Sequence, residues 1–300
     1  MAPPSRTRTR SGFIAIAGRP NVGKSTLINA IVGAKVAIVS DKPQTTRRAI
    51  RGVATGADWQ LVLVDLPGVQ RPLDTLTERM QRRVERELSE ADGCLFVVNA
   101  QQGVGPGDRF IARLLSRSPV PVMIAVNKVD RADRARTAET LQAAEELGLA
   151  DEIFPVSART GSGVGVLVDS LVAMLPDGPF YFDPADRSDL PERVRQAELI
   201  REAALARTRE EVPHAVEVAI EAIEHRTDGL VRIEATILVE TESQKGILVG
   251  AGGRTVKAIG VAARRSIERE LGARVHLECK VKVRRHWRGD AGLLDRLGIE

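Results

Sequence analysis

The stretch "GRPNVGKSTLINAI", residues 18–31, packs Gly18, Gly23, Lys24, Ser25 and Thr26 into nine positions between two apolar runs. Ahead of it, "FIAIAG" is short, apolar and β-branched. Behind it, "STLINAIVGA" sets apolar side chains at helical spacing after a hydroxyl residue, so the order is strand, glycine loop, helix. In that context G-x-x-x-x-G-K-[ST] turns the backbone N–H groups of residues 21–25 toward one point at the positive end of a helix. Gly18, Asn21, Val22, Gly23, Lys24, Ser25 and Thr26 are therefore the candidate phosphate-binding residues. Lys24 would reach the terminal phosphates, and Ser25 would give its hydroxyl to Mg²⁺. The loop alone leaves the nucleotide open, because ATP and GTP share their phosphates.

Four further apolar runs follow: "LVLVD" (61–65), "CLFVVNA" (94–100), "VPVMIAVNK" (120–128) and "IFPVSA" (153–158). Polar segments long enough for helices separate them. This is the pattern of buried parallel strands in a doubly wound α/β sheet, where ligands sit at the carboxyl ends of the strands. "NKVD" (127–130) falls at such an end. The Asp130 carboxylate accepts from both N1–H and the 2-amino group of guanine, whereas adenine lacks that amino group and would leave the charge unpaired. Asn127 would bond the purine edge, the stem of Lys128 would lie along the ring, and Ser157 and Ala158 of "SAR" (157–159) end the next strand, with the Ala158 N–H facing guanine O6. GTP is expected over ATP. "DLPG" (65–68) puts Asp65 where it holds Mg²⁺ through water and the Gly68 N–H near the γ-phosphate. A threonine from "DKPQTTRRAI" (41–50) completes the metal shell, Thr46 in preference to Thr45.

The chain has 300 residues, enough for two domains with substantial cores. Cys94 and Cys279 sit far apart in expected strands and no His/Cys spacing suggests zinc, so a reducing compartment with both thiols in cores is expected. No run of about 18 apolar residues and no signal-peptide core is present. Charge is uneven. Residues 254–288 hold eleven Lys or Arg against Glu268, Glu270 and Glu278, on a chain whose formal net charge is +4, so the remainder is slightly acidic. A basic module of this kind is a footprint for nucleic acid or an anionic surface. "TLTERMQRRVERELSEAD" (75–92) reads instead as a solvated helix whose Arg79, Arg82, Arg83 and Arg86 pair with its own glutamates.

The Pro/Gly/Asp-rich stretch "LPDGPFYFDPADRSDLPER" (175–193) marks a domain boundary. Beyond it the pattern predicts a helix near 191–209, two strands, a glycine loop "GAGG" (250–253) running from a strand end into a basic helix, a further strand and a short final helix. The loop lets a nucleic-acid backbone approach closely, and the helix behind it offers its N-terminus. Gly250, Ala251, Gly252, Gly253, Arg254, Lys257, Arg264, Lys280 and Lys282 are the candidate RNA-binding residues. Stacking aromatics are nearly absent there, so bases would be read by hydrogen bonding in an apolar groove along Ile247, Val249, Val256 and Ile259.

"GRPNVGKST", "PQTTR", "DLPG", "NKVD" and "SAR", in this order, resemble a translation-factor-type small GTPase domain; with "RPNVGKSTLIN", "KPQTTR", the linker and "LECKVKVRRHWR" they resemble the Era family over nearly the whole chain. The resemblance implies a disordered basic tail (1–10), a P-loop GTPase domain (11–178), a linker (179–190) and a type II KH domain (191–300). Leu66 stands where the family usually has threonine, and Ala251 where it usually has a lysine. The resemblance further implies GTP and GDP as ligands, a GTPase activity to which Lys24, Thr46, Gly68 and Asn21 contribute, and binding to the 3′ end of 16S rRNA during 30S subunit assembly. It also implies a cytoplasmic monomer with peripheral contact at the inner membrane face and no DNA partner. Val69 occupies the position of the water-orienting glutamine of the best-known small GTPases, so hydrolysis is expected to be slow unless K⁺ held by Asn21 supplies the missing charge. Two other readings stand beside this one: an RNA-binding protein whose nucleotide domain is structural, and an ATP-dependent kinase or helicase.

Overall fold

A computed structural model describes residues 8–42, 45–68 and 74–299. The chain divides into two compact units. One comprises residues 1–37, 46–71 and 80–189, and the other comprises Ile38–Thr45, residues 72–79 and Leu190–Glu300.

In the first unit the elements run β1 (Arg10–Ala17), α1 (Lys24–Val32), β2 (Ile50–Thr55), β3 (Trp59–Asp65), α2 (Thr75–Glu90), β4 (Gly93–Asn99), α3 (Pro106–Leu115), β5 (Val122–Asn127), α4 (Arg134–Glu145), β6 (Ile153–Val156) and α5 (Val164–Met174), with the start of α2 counted in the other unit. The sheet order is β2-β3-β1-β4-β5-β6. All neighbours are parallel except β2, which runs antiparallel to β3. That antiparallel edge strand is not among the apolar runs read from the sequence, all of which are parallel here. The reason for its direction is local: the three residues Gly56–Asp58 close a hairpin in which the Gly56 N–H donates to the Trp59 carbonyl at 2.9 Å, and a tight turn joins only antiparallel strands. The strands read as continuous apolar runs because both faces are covered. Ile14, Ile16, Leu63 and Val97 pack toward α1 and α5, while Ala15, Ala17, Phe96, Val98 and Val126 pack toward Val84, Ile111, Leu115 and Ala144 of α2, α3 and α4. Cys94 lies in this second layer, where burial pushes its thiol up to about 12.

Residues 177–189, read from the sequence as boundary and linker, are tied to this unit. The fully buried Gln60 accepts at Oε1 from the Tyr181 and Phe182 amides (2.8 and 2.9 Å) and donates from Nε2 to the Phe182 carbonyl (2.9 Å). Tyr181 packs its ring 4.8 Å from that of Phe13. Farther on, the Val53 amide donates to the Arg187 carbonyl (2.9 Å) and the Ser188 hydroxyl to the Arg51 carbonyl (2.8 Å), so the returning chain lies along the outer side of β2.

The second unit contains α6 (Glu192–Leu205), the single turn α7 (Val212–Ala215), β7 (Glu217–His225), β8 (Leu230–Val239), α8 (Glu242–Val249), α9 (Arg254–Leu271), β9 (Arg274–Val283) and α10 (Ala291–Arg296). Its sheet order is β7-β8-β9, with β8 antiparallel to β7 and parallel to β9. Parallel neighbours require a crossover, which α8, the glycine loop and α9 supply. Leu199, Ile200, Ile233, Ile237, Leu248, Ile259 and Ile267 form the core between helices and sheet. Here "GILV" is the last turn of a helix rather than the strand end predicted from the sequence. The Thr241 side chain accepts from the Gln244 N–H, and Gln244 returns a bond to the Thr241 amide, a capping box that starts α8. Arg79, expected on a solvated helix face, pairs with Asp295 at 2.6 Å, and Asp74 pairs with Arg288 at 2.7 Å; Arg83, with Glu87 at 2.7 Å, makes the expected i,i+4 pair.

Candidate nucleotide site and nucleic-acid face

The loop after β1 is shaped by residues that ordinary side chains could not replace. A Cβ on Gly18 would sit 2.6 Å from the Val97 carbonyl oxygen, and one on Gly23 would sit 2.4 Å from Asn127 Nδ2. Gly23 also has φ +101°, and Asn21 enters the left-handed region at +63°. No side chain caps α1, so its first amides remain open to an anion, with Ser25 and Thr26 in that first turn. Lys24 Nζ donates to the carbonyls of Gly18 (3.0 Å) and Arg19 (3.2 Å). Burial lowers its pKa, and the Asp65 carboxylate opposes that shift.

Ser25, Thr46 and Asp65 converge beside this loop. Asp65 Oδ2 accepts from Ser25 Oγ at 2.8 Å and from Thr46 Oγ1 at 3.1 Å, and the two hydroxyls are 3.4 Å apart. Thr45 turns elsewhere, its hydroxyl donating to the Lys42 carbonyl at 2.6 Å. Among the described residues no group of three or more His, Cys, Asp or Glu could hold a metal. Two hydroxyls and one carboxylate are a hard-oxygen set that fits Mg²⁺, which keeps water and takes remaining ligands from phosphates. Gly68 lies against the loop, since a Cβ there would sit 2.9 Å from Pro20 Cγ. Val69 and Gln70 fall outside the described residues.

At the end of β5, Asn127 joins the two rims of the site: Nδ2 donates to the Val22 carbonyl and Oδ1 accepts from the Ala158 amide, each at 3.0 Å. The Ala158 N–H, expected to face guanine O6, is thus engaged by Asn127. Lys128, at φ +68°, donates to the Asn21 carbonyl at 2.5 Å, laying its stem across the space between loop and strand end. Asp130 Oδ1 accepts from Ser157 Oγ at 2.7 Å and Oδ2 meets Arg159 Nη2 at 2.8 Å. The Ser157 hydroxyl, and after it the Arg159 guanidinium, hold this carboxyl below the usual carboxylate range.

In the second unit α8 ends at Gly250, whose left-handed φ is shared by Gly252 and Gly253. A Cβ on Gly250 would collide with Thr255 Oγ1 at 2.2 Å, whereas Gly252 and Gly253 face open space. The first glycine is therefore needed for packing, and the other two leave bare backbone for a ligand to approach. Arg254 Nε donates to the Ala251 carbonyl at 3.2 Å, at the uncapped start of α9. A shallow groove of about 300 Å³ lies between α9 and the edge strand β9, lined by Val256, Lys257, Gly260, Val261, Arg264, His276, Leu277 and Cys279. Of the expected groove residues only Val256 lines it. Ile259 is fully buried in the core, because helical spacing turns it under α9. Lys280 and Lys282 are exposed and absent from this lining; Lys280 pairs with Glu278 at 3.0 Å. Strand alternation gives the odd-numbered Leu277, Cys279 and Val281 to the helix side and these lysines to the other face.

Several residues escaped sequence reasoning. Arg159 stood within the quoted "SAR", but nothing in a tripeptide says that its guanidinium reaches Asp130. Gly260 was hidden as an ordinary helical residue, although a glycine inside an otherwise good helix is itself a signal of close approach. Arg207 joins Arg254, Lys257 and Arg265 around a second shallow recess of about 340 Å³, a meeting of the turn after α6 with α9 that spacing cannot give.

Residues 13–128 match the 50S ribosome-binding GTPase family and residues 211–288 the KH domain family. The GTPase Era of Mycolicibacterium paratuberculosis is 45% identical over 298 residues, which cover 98% of this chain and 100% of that protein. The GTPase Era of Mycobacterium tuberculosis is also 45% identical, over 300 residues, with the same coverage. Era solved in complex with MgGDPNP and nucleotides 1506–1542 of 16S ribosomal RNA has a TM-score of 0.92 and 35% identity, covering 97% of this chain and 99% of that one. A variant of Aquifex aeolicus Era bound to GDP and AlF4⁻ has a TM-score of 0.91 and 34% identity at the same coverage. With a phosphate loop in the first matched segment, a helix–glycine loop–helix in the second, and GTPase Era relatives 45% identical over their full length, the chain belongs to the Era family of GTPases.

Proposed function

We propose that this GTPase is a nucleotide-driven switch that binds 16S ribosomal RNA near its 3′ end through the glycine loop and α9, and that it acts as a cytoplasmic monomer in 30S subunit assembly. The observation that carries the reading is the meeting of Ser25, Thr46 and Asp65, which brings a segment between α1 and β2 to the phosphate side of the loop. A segment placed there responds to the presence of a γ-phosphate. The RNA half of the reading draws on the bare backbone at Gly252 and Gly253 and on the relative solved with a 16S fragment. Among the described residues no helix is long and apolar enough to cross a membrane, and for peripheral membrane contact only the basic charge of the second unit speaks.

In this reading the amides of residues 21–25 bind the phosphates, Lys24 donates to the terminal oxygens, and Asn127 and Asp130 orient the base. Mg²⁺ would be held by Ser25 and Thr46 directly and by Asp65 through water, and when bound it neutralises charge on the β- and γ-phosphate oxygens. The Gly68 N–H faces the γ-phosphate. Val69 offers no hydrogen bond to the attacking water, so turnover is slow. Asn21 is proposed as a K⁺ ligand, and equal turnover in K⁺ and Na⁺ would remove that role.

The test is binding to a single-stranded oligonucleotide from the 3′ end of 16S rRNA, once with a non-hydrolysable GTP analogue and once with GDP. Tighter binding with the analogue is expected. Equal binding would favour the reading of a constitutive RNA-binding protein whose nucleotide domain is structural.

A further inference from the structure

Helix α6 carries an arginine with no exposed surface at all. Arg201 is held by Glu198 through two bonds, Nη2 to Oε2 at 2.7 Å and Nε to Oε1 at 3.3 Å, and its Nε lies 3.9 Å from the equally buried Glu217. Glu217 in turn accepts from the Val218 amide at 3.1 Å. With its ion pairs complete, Arg201 still turns Nη2 to one more acceptor, the backbone carbonyl of Thr45. The next residue of the helix, Glu202, accepts from the Val39 amide at 3.0 Å. Adjacent side chains thus grip the two ends of Ile38–Thr45, which packs within the second unit. Both contacts are to backbone groups, so they hold Val39 and Thr45 whatever the side chains there.

We infer that Arg201 and Glu202 are positioning residues for Thr46. Fixing a loop costs conformational entropy at every residue, and a guanidinium already immobilised by Glu198 and Glu217 adds none of its own when it takes the Thr45 carbonyl. The peptide that follows Thr45 then delivers the Thr46 hydroxyl to Asp65 and Ser25. A purely structural role for the cluster would require Glu198 and Glu217 alone; the bonds to Val39 and Thr45 lie beyond that requirement. The inference rests on the reading of Thr46 as a ligand on the γ-phosphate side, and it places part of the control of GTP turnover in α6, outside the nucleotide loops.

Glu202→Ala removes the Val39 acceptor from a half-buried position, and Arg201→Lys keeps the buried charge while losing the second arm of the fork. Both leave Glu198 with a cation, so both are expected to fold. In the full chain we expect GTP turnover at saturating nucleotide to fall about tenfold, the scale of one hydrogen bond to a charged group, while GDP affinity stays within about twofold. Amide hydrogen exchange over residues 38–46 is expected to accelerate in both variants without nucleotide. Thr46→Ala, assayed alongside, separates two failures. If Thr46→Ala abolishes turnover but the α6 variants change neither turnover nor exchange, the positioning role is overturned and Thr46 keeps its place. If Thr46→Ala leaves turnover intact, the reading of Thr46 fails and the inference fails with it.

Discussion

Asp130→Asn exchanges a carboxylate for an amide of the same shape at the point proposed for recognition of the base. In the native site both oxygens accept, Oδ1 from Ser157 at 2.7 Å and Oδ2 beside Arg159 at 2.8 Å, and in the proposed reading the carboxylate also accepts from two neighbouring guanine donors. Hydrogen bonds to a charged acceptor contribute about 1.5–3 kcal/mol each. The asparagine retains Oδ1 for Ser157, but its amide then presents hydrogens to both Arg159 and the guanine 2-amino group, donor against donor. Loss of one charged bond and weakening of the other amounts to about 3 kcal/mol, or roughly two powers of ten in affinity. Xanthine carries an oxygen in place of that amino group and suits the new donor. Dissociation constants for GDP and xanthosine diphosphate, measured on both proteins, should therefore show the preference reversed. A folded variant that still prefers GDP would refute the assignment of Asp130 to the base. The native carboxyl also carries a pH signature. Its pKa is depressed, so the charge that guanine needs is present above the ordinary aspartate value of about 3.9 and is lost only as pH falls through the lower folded value. The ratio of GDP affinities between the native protein and Asp130→Asn should accordingly stay level from pH 7 down to about 4.5, since protonation of the diphosphate is common to both.

Gly252→Asp adds a carboxylate at a position whose Cβ meets nothing, so fold and GTPase activity should persist while oligonucleotide affinity drops at least about tenfold through repulsion of phosphate, as a filter-binding titration would show. Gly260→Val also has room in the protein but fills the floor of the α9–β9 groove; it should weaken single-strand binding without lowering the melting temperature, and unchanged RNA affinity would detach that groove from recognition. Burial pushes the Cys279 thiol up to about 11 and that of Cys94 up to about 12, so maleimide labelling at pH 7 should be slow at both. Labelling at Cys279, which lines the groove, should slow further with bound RNA, whereas Cys94 should not respond.

What the sequence disclosed were features whose chemistry is local. The phosphate loop requires its glycines and lysine at fixed spacing, and the buried strands announce themselves because both faces are covered. Of the two threonines weighed for the metal shell, Thr46 is the one whose hydroxyl meets Asp65. The antiparallel β2 was hidden because "IRGVAT" is a weak apolar run and its pairing depends on a hairpin of three residues. Helix α8 was hidden because "GILVG" reads equally as a strand end, and the capping box that settles it, Thr241 with Gln244, begins well before the first apolar residue, Ile247. Lys280 and Lys282 illustrate a different limit. Alternation says that they share a face, but which face looks toward α9 follows from tertiary packing alone. Arg201 could not be found at all, because an arginine among glutamates on a helix ordinarily signals solvent.

The segment that returns over β2 has a bearing on how the protein stays dispersed. An outer strand presents unpaired N–H and C=O groups that invite a strand from another molecule. Here the Arg187 carbonyl and the Ser188 hydroxyl occupy that row at Val53 and Arg51, and Gln60 anchors the same segment upstream. A cut in front of Tyr181 would uncover the edge and strip Gln60 of its backbone partners together, each stranded polar group costing about 1–3 kcal/mol. A fragment of the first unit meant to remain monomeric must therefore run through Asp189, and proteolysis within 181–188 would turn a closed sheet into a template for aggregation.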